Sequence, residues 1–154
     1  MGKKEPKQDV FKLMPVLRIF SGLFLLVILT ALILAIFLTG SGNFVPVFEI
    51  GNPTLMTITV ILLVVSVILL ILAYYVPALF KRLNKDGFSE QSLFMMFILR
   101  VTLFEFLAII GMVLRIMGNN WYICGPLFAI SILGIILLFP TKKRYAGWIG
   151  ISDY

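Results

Sequence analysis

Apolar residues in this chain come in four long runs rather than in alternation. Residues 19–39, IFSGLFLLVILTALILAIFLT, contain no charge, and neither do residues 53–80 or 121–139. Residues 93–117 are apolar apart from Arg100, Glu105 and Arg115. A run of about 18 or more apolar residues is long enough to cross the hydrocarbon core of a bilayer as a helix. A helix in lipid pairs its backbone N–H and C=O groups within itself. These runs are too long and too little alternating for barrel strands. The pattern predicts an all-α, integral membrane bundle of four antiparallel transmembrane helices. It forms a single membrane domain over 1–154, with spans at about 16–40, 53–80, 92–117 and 121–140. An N-terminal segment, 1–15, and a tail, 141–154, flank the spans.

Composition agrees with the pattern. The chain of 154 residues is 61% hydrophobic and 13% charged, against about 45–50% and about 25% in soluble domains. A soluble fold of this length buries too little of its surface to hide that much apolar area. The net charge of +6 does not point to nucleic acid, because no stretch interleaves basic with aromatic residues. The basic residues instead flank the runs, where they act as topology signals and meet anionic headgroups. Lys3, Lys4, Lys7, Lys12 and Arg18 precede or open the first span. Lys81, Arg82 and Lys85 lie between the second and third, and Lys142, Lys143 and Arg144 follow the fourth. Segment 40–52 has no basic residue, and neither does the turn 118–120. Positive charge favours the cytoplasmic side. Both termini and the middle connection are therefore expected in the cytoplasm, with the spans in a cell inner or plasma membrane. The first run is longer than the usual apolar core of a signal peptide and lacks a clean small-x-small site, so it is read as a retained span.

Punctuation fits this layout. TGSGN and GNP break the chain around the first outer connection, and Pro53 suits the first turn of the second span. NKDGFSEQS is a polar turn, with a helix start expected near Ser89 or Ser92. GNN, residues 118–120, is short enough to make spans three and four antiparallel neighbours. Trp121 and Tyr122 are expected at the outer interface, and Tyr145, Trp148 and Tyr154 near the inner one. NFVPVFEIGNP is apolar for an outer connection; it is expected over the bundle mouth, or else in the headgroup layer or on a partner. Ala31 with Ala35, and Gly111 with Gly118, suit close helix approach.

Chemistry is sparse. There is no histidine, and Cys124 is the single cysteine. No internal disulfide, zinc set or histidine base is available, and no glycine-rich phosphate loop follows a strand. Cys124 is read as a small packing residue. No catalytic residue, cofactor or metal is expected, and the chain is not expected to be an enzyme. The candidates that remain are the three charges of the third span. At about 100° per residue, Arg100, Phe104, Leu107, Gly111 and Arg115 share one broad face, while Glu105 lies about 140° around from Arg100. That separation is unlike the three- or four-residue spacing at which side chains pair on one helix. Arg100 and Arg115 lie near opposite ends of the span and can snorkel toward water. Glu105 lies near the midplane, where an acidic residue costs about 2.5–3.5 kcal/mol to insert. It is therefore expected to be protonated or partnered. Candidate partners are the two arginines, Thr30, Thr57, Thr59, Ser66, Tyr74, Tyr75, Ser131 and water. Two roles follow for Glu105, Arg100 and Arg115. One is a helix clasp in a non-enzymatic accessory or scaffold subunit, docked on a membrane-protein partner or in a homo-oligomer. The alternative is ion binding, with Glu105 exchanging a proton or cation.

LFEFLAIIGMVL, residues 103–114, resembles the carboxylate-bearing helix of the rotor-ring proteolipid (c-type) subunits of rotary ATPases. Glu105, Leu107, Ile109, Gly111 and Val113 are the matching positions. The family's helix also leaves a polar cytoplasmic loop and runs outward, as KDGFSEQSLFMM leads into this one. The resemblance implies that Glu105 is a proton- or sodium-binding carboxylate. It covers these residues alone. The second span has no glycine, where the family's partner helix is glycine-rich, and the polar connection lacks the Arg-Gln-Pro type signal. Taken whole, the chain resembles small four-helix bacterial membrane proteins more than a rotor subunit.

Overall fold

A computed structural model of the chain describes residues 13–40, 52–83 and 90–141. The first and middle connections, most of the N-terminal segment and nearly all of the tail lie outside the described residues. So do their lysines and Tyr145, Trp148 and Tyr154. Four α-helices follow one another: α1 (Met14–Gly40), α2 (Pro53–Leu83), α3 (Glu90–Met117) and α4 (Trp121–Leu138). All four are long and apolar enough to cross a membrane. By the composition of its helices the chain is a multi-pass membrane protein.

Local chemistry sets the helix ends. Pro53 opens α2, where its missing N–H costs nothing. The helix runs to Leu83, three residues past the expected boundary, and Lys81 and Arg82 in its last turn complement the dipole. α4 stops at Leu138 instead of the expected 140. The cause is Pro140, which forces the residue before it out of the helical region: Phe139 has φ −52° and ψ 124°. Between α3 and α4 the turn closes in three residues. Asn119 N–H donates to Leu114 C=O at 3.0 Å and Gly118 N–H to Arg115 C=O at 3.1 Å, the paired bonds of a Schellman cap. Gly118 sits at φ 114°, a conformation open to glycine and strained for other residues. Asn120 then caps α4, its side-chain oxygen accepting from Ile123 N–H at 3.3 Å.

α3 is the centre of the bundle. It packs on α1, α2 and α4; α1 and α4 also touch, whereas α2 packs almost entirely on α3. Buried positions recur at seven-residue intervals: Met14, Ser21, Ile28 and Ala35 on α1, Thr59, Ser66 and Ala73 on α2, and Cys124, Ser131 and Leu138 on α4. That period keeps one seam against a neighbour at a shallow left-handed crossing. Small residues dominate the seams, so the backbones approach closely. Ser21, Thr59, Ser66 and Ser131 each donate to the carbonyl four residues earlier, at 2.9, 2.7, 2.8 and 2.7 Å. Each hydroxyl is thus satisfied within its own helix before it enters the seam. Two glycines fix the α3–α4 contact. Gly111 lies against Phe128, Leu127 and the Cys124 carbonyl, and Gly134 faces the ring of Phe104 with no space for a methyl group. Cys124 is fully buried in this seam.

Candidate functional site

The three charges of α3 are not brought together. Arg100 is half-buried, and its Nε donates to the Ala73 carbonyl of α2 at 3.1 Å. That carbonyl has a particular need. Ala73 stands four residues before Pro77, inside α2, and a proline has no N–H to return to it. An unpaired carbonyl in a dry interior is costly, and Ala73 is buried. The guanidinium of a neighbouring helix supplies the missing donor. The expected account of Arg100, snorkelling toward water, is therefore incomplete: the side chain has an acceptor within the bundle.

Arg115 is engaged at the other end of α3. Its Nε donates to Thr39 Oγ of α1 at 3.2 Å and its Nη1 to the Asn119 carbonyl at 2.7 Å. The guanidinium carbon stands 5.1 Å from the centroid of the Trp121 ring of α4, within the range of a cation–π contact. Asn119 completes the cluster by donating from Nδ2 to Thr59 Oγ of α2 at 2.9 Å. One arginine and one asparagine thus tie all four helices at the end where α3 turns into α4. The sequence reading missed this cluster. Its signal was the pairing of Arg115 with an asparagine turn and a tryptophan within six residues. At the opposite end Arg18 Nε reaches the Pro140 carbonyl at 3.3 Å, which joins the start of α1 to the end of α4.

Glu105 differs from both arginines. Two contacts fix its depth. The rings of Phe20 and Phe94 meet edge-on with centroids 5.6 Å apart, and Thr39 meets Arg115, so α1 and α3 run parallel. Interpolating between these contacts places Glu105 level with Thr30, near the middle of α1. Its side chain is half-buried. Among the described residues it has no hydrogen-bond or ion-pair partner, and its oxygens reach the surface of the bundle. The threonine and serine hydroxyls considered for it donate elsewhere. Thr30 and Thr57 donate to Leu26 and Pro53 carbonyls at 2.9 and 3.0 Å. Thr59, Ser66 and Ser131 donate within their own helices as described above. Tyr74 and Tyr75 meet ring to edge, 5.5 Å apart, and both are exposed.

No cluster of three or more histidine, cysteine, aspartate or glutamate side chains suited to a metal occurs among the described residues. What the arrangement offers is two arginines, each bonded to a neighbouring helix or turn, and one carboxyl at mid-depth with no partner among the described residues. In comparisons with family models, curated proteins and solved structures, no match was found.

Proposed function

We propose that this chain is a non-enzymatic accessory or scaffold subunit of a membrane complex, forming one domain with both termini on the cytoplasmic side of a cell inner or plasma membrane. The reading is carried by Glu105, a carboxyl at mid-span without a partner among the described residues. Leaving an acidic group in hydrocarbon costs about 2.5–3.5 kcal/mol, and a donor from another membrane protein removes that cost. The arginines of α3 are directed elsewhere, Arg100 to the Ala73 carbonyl of α2 and Arg115 to Thr39 and the Asn119 carbonyl.

A second reading, proton or cation handling at Glu105, is favoured by one observation. An arginine beside a carboxylate competes with a bound cation, and Arg100 is turned toward α2 instead. The resemblance of residues 103–114 to the rotor carboxylate helix supports the same reading.

A Glu105→Gln chain, extracted gently in detergent and also reconstituted in vesicles, separates the two. Loss of a co-purifying partner, with no proton or sodium flux in either protein, supports the accessory role. Normal assembly with loss of flux supports ion handling. A wild-type chain that is recovered alone from its own membrane and carries no flux overturns both.

A further inference from the structure

At the end where α3 turns into α4, a cleft of about 430 Å³ lies between the start of α2 and the turn. Its size is within the range of small-molecule sites, about 300–1,000 Å³. Asn52, Asn119 and Asn120 form its polar end, and no described residue that lines it is charged. Beyond them, Leu55, Met56 and Val60 of α2 and Ile123 of α4 form apolar walls. From Asn52 to Val60 is about 12 Å of helix, so the cleft reaches from the helix ends into the apolar run. Met56 and Val60 are exposed, and α2 packs almost entirely on α3. The cleft therefore opens sideways, between α2 and α4, onto lipid. Its asparagines differ in what they have left to offer. Asn119 and Thr59 bond to each other. Asn52 Oδ1 accepts from Thr54 N–H at 2.9 Å, and Asn120 Oδ1 from Ile123 N–H at 3.3 Å. With both oxygens held by backbone, Asn52 and Asn120 present their Nδ2 groups, which only donate. Neither of these nitrogens has a partner among the described residues.

We propose that this cleft binds one phospholipid, with its phosphate-ester region on the amides of Asn52 and Asn120 and an acyl chain along Leu55, Met56, Val60 and Ile123. The inference stands apart from Glu105 and from the accessory role. The chemistry of the walls chooses the occupant. Two donors without a competing acceptor select an acceptor-rich group, and a phosphate ester is one. A free phosphate meets the amides but leaves the apolar walls uncovered. A hydrocarbon chain alone covers the walls but leaves both amides unpaired, which is costly away from water. A transmembrane helix, from a second copy or another protein, spends its carbonyls within itself. A phospholipid supplies acceptor and tail together, at the right depths, and enters sideways from its own leaflet. Because the described lining carries no charge, the site reads phosphate and ester oxygens rather than net headgroup charge. Zwitterionic and anionic phospholipids are both accepted.

Native mass spectrometry of the delipidated protein in detergent tests this. The probes are dioleoyl phosphatidylglycerol, dioleoyl phosphatidylethanolamine, dioleoylglycerol and glycerol phosphate. Expected is one tightly held copy of either phospholipid, with dioleoylglycerol and glycerol phosphate retained about tenfold more weakly or worse. Asn52→Asp combined with Asn120→Asp keeps both helix caps, since aspartate caps as well as asparagine. It exchanges two donors for carboxylates that only accept and that repel a phosphate, so phospholipid retention should fall about tenfold or more. Tyr122→Glu adds a carboxylate close by, on an exposed side chain that does not line the cleft. It should leave retention within about twofold, because exposed charges are screened. Shielding of Cys124 from maleimide reports that each variant is folded. Where the paired aspartates unmask Cys124, Val60→Trp, which fills the cleft from an exposed position, is read instead and should abolish retention. Unchanged retention in the folded cleft variant overturns the inference, as does an equal loss in Tyr122→Glu. Dioleoylglycerol held as tightly as the phospholipids overturns the role of the amides. Glycerol phosphate held as tightly overturns the lipid and makes the cleft a site for free phosphate.

Discussion

Arg100→Met is expected to destabilise the bundle only because α2 contains Pro77. Methionine keeps the apolar stem and deletes the donor. The Ala73 carbonyl then has neither the Pro77 N–H that helix geometry calls for nor the Arg100 Nε at 3.1 Å. A hydrogen bond from a charged donor contributes about 1.5–3 kcal/mol in soluble proteins. Interhelical bonds in membranes average about 0.6 and reach about 1.7 kcal/mol. A single well-placed donor on a buried carbonyl belongs in the upper part of the second range, so Arg100→Met should cost about 1.5 kcal/mol. Pro77→Ala restores an N–H four residues after Ala73. In that background the carbonyl is satisfied within α2, and Arg100→Met should cost about 0.5 kcal/mol or less. The coupling, about 1 kcal/mol, exceeds the roughly 0.3–0.5 kcal/mol scatter of independent sites. Reversible unfolding in mixed micelles, followed through the exposure of Cys124 to a thiol reagent, measures all four proteins. Equal costs of Arg100→Met in both backgrounds would refute the link between the proline and the arginine.

Other sites give sharper single measurements. Gly134→Ala should destabilise by about 1–3 kcal/mol, because a methyl group there meets the Phe104 ring; Phe104→Leu in the same chain should recover much of the loss in a micelle unfolding assay. Gly118→Ala forces alanine to φ 114° and should cost about 1–2 kcal/mol, with Gly118→Asn milder; a thermal melt in detergent reads the order. Asn119→Leu and Thr59→Val break the same bond, so the double variant should cost little more than the worse single one, by the same unfolding assay. Cys124 has no exposed surface, so maleimide should label it only after denaturation in dodecyl sulfate; rapid labelling of the native protein would contradict the α3–α4 seam.

The four helices were legible because lipid-crossing segments must be long and apolar, and nothing else in the chain resembles them. Which face of each helix packs was not. A helix that is apolar on every side has no contrast between core and surface, so the seven-residue seams of α1, α2 and α4 are marked chiefly by Ser21, Ala35, Thr59, Ser66, Ala73, Cys124 and Ser131. Such small residues also occur off the seam, as Thr30 does. The charges of α3 show the same division. Their presence in a greasy run marked α3 as unusual, and it is the helix that touches all the others. Their partners lay beyond side-chain pairing rules, because Arg100 answers a backbone carbonyl and Arg115 a turn carbonyl. The readable signal for the first was a proline, not a charge: a proline inside a lipid-buried helix leaves one carbonyl four residues back in want of a donor. Glu105 follows from the same rule with the opposite outcome. Each polar group inside a membrane bundle has to find its complement. For the two arginines a complement is internal, and they hold the fold; for the carboxyl none is found among the described residues, which is why the proposed accessory role rests on Glu105 rather than on either arginine.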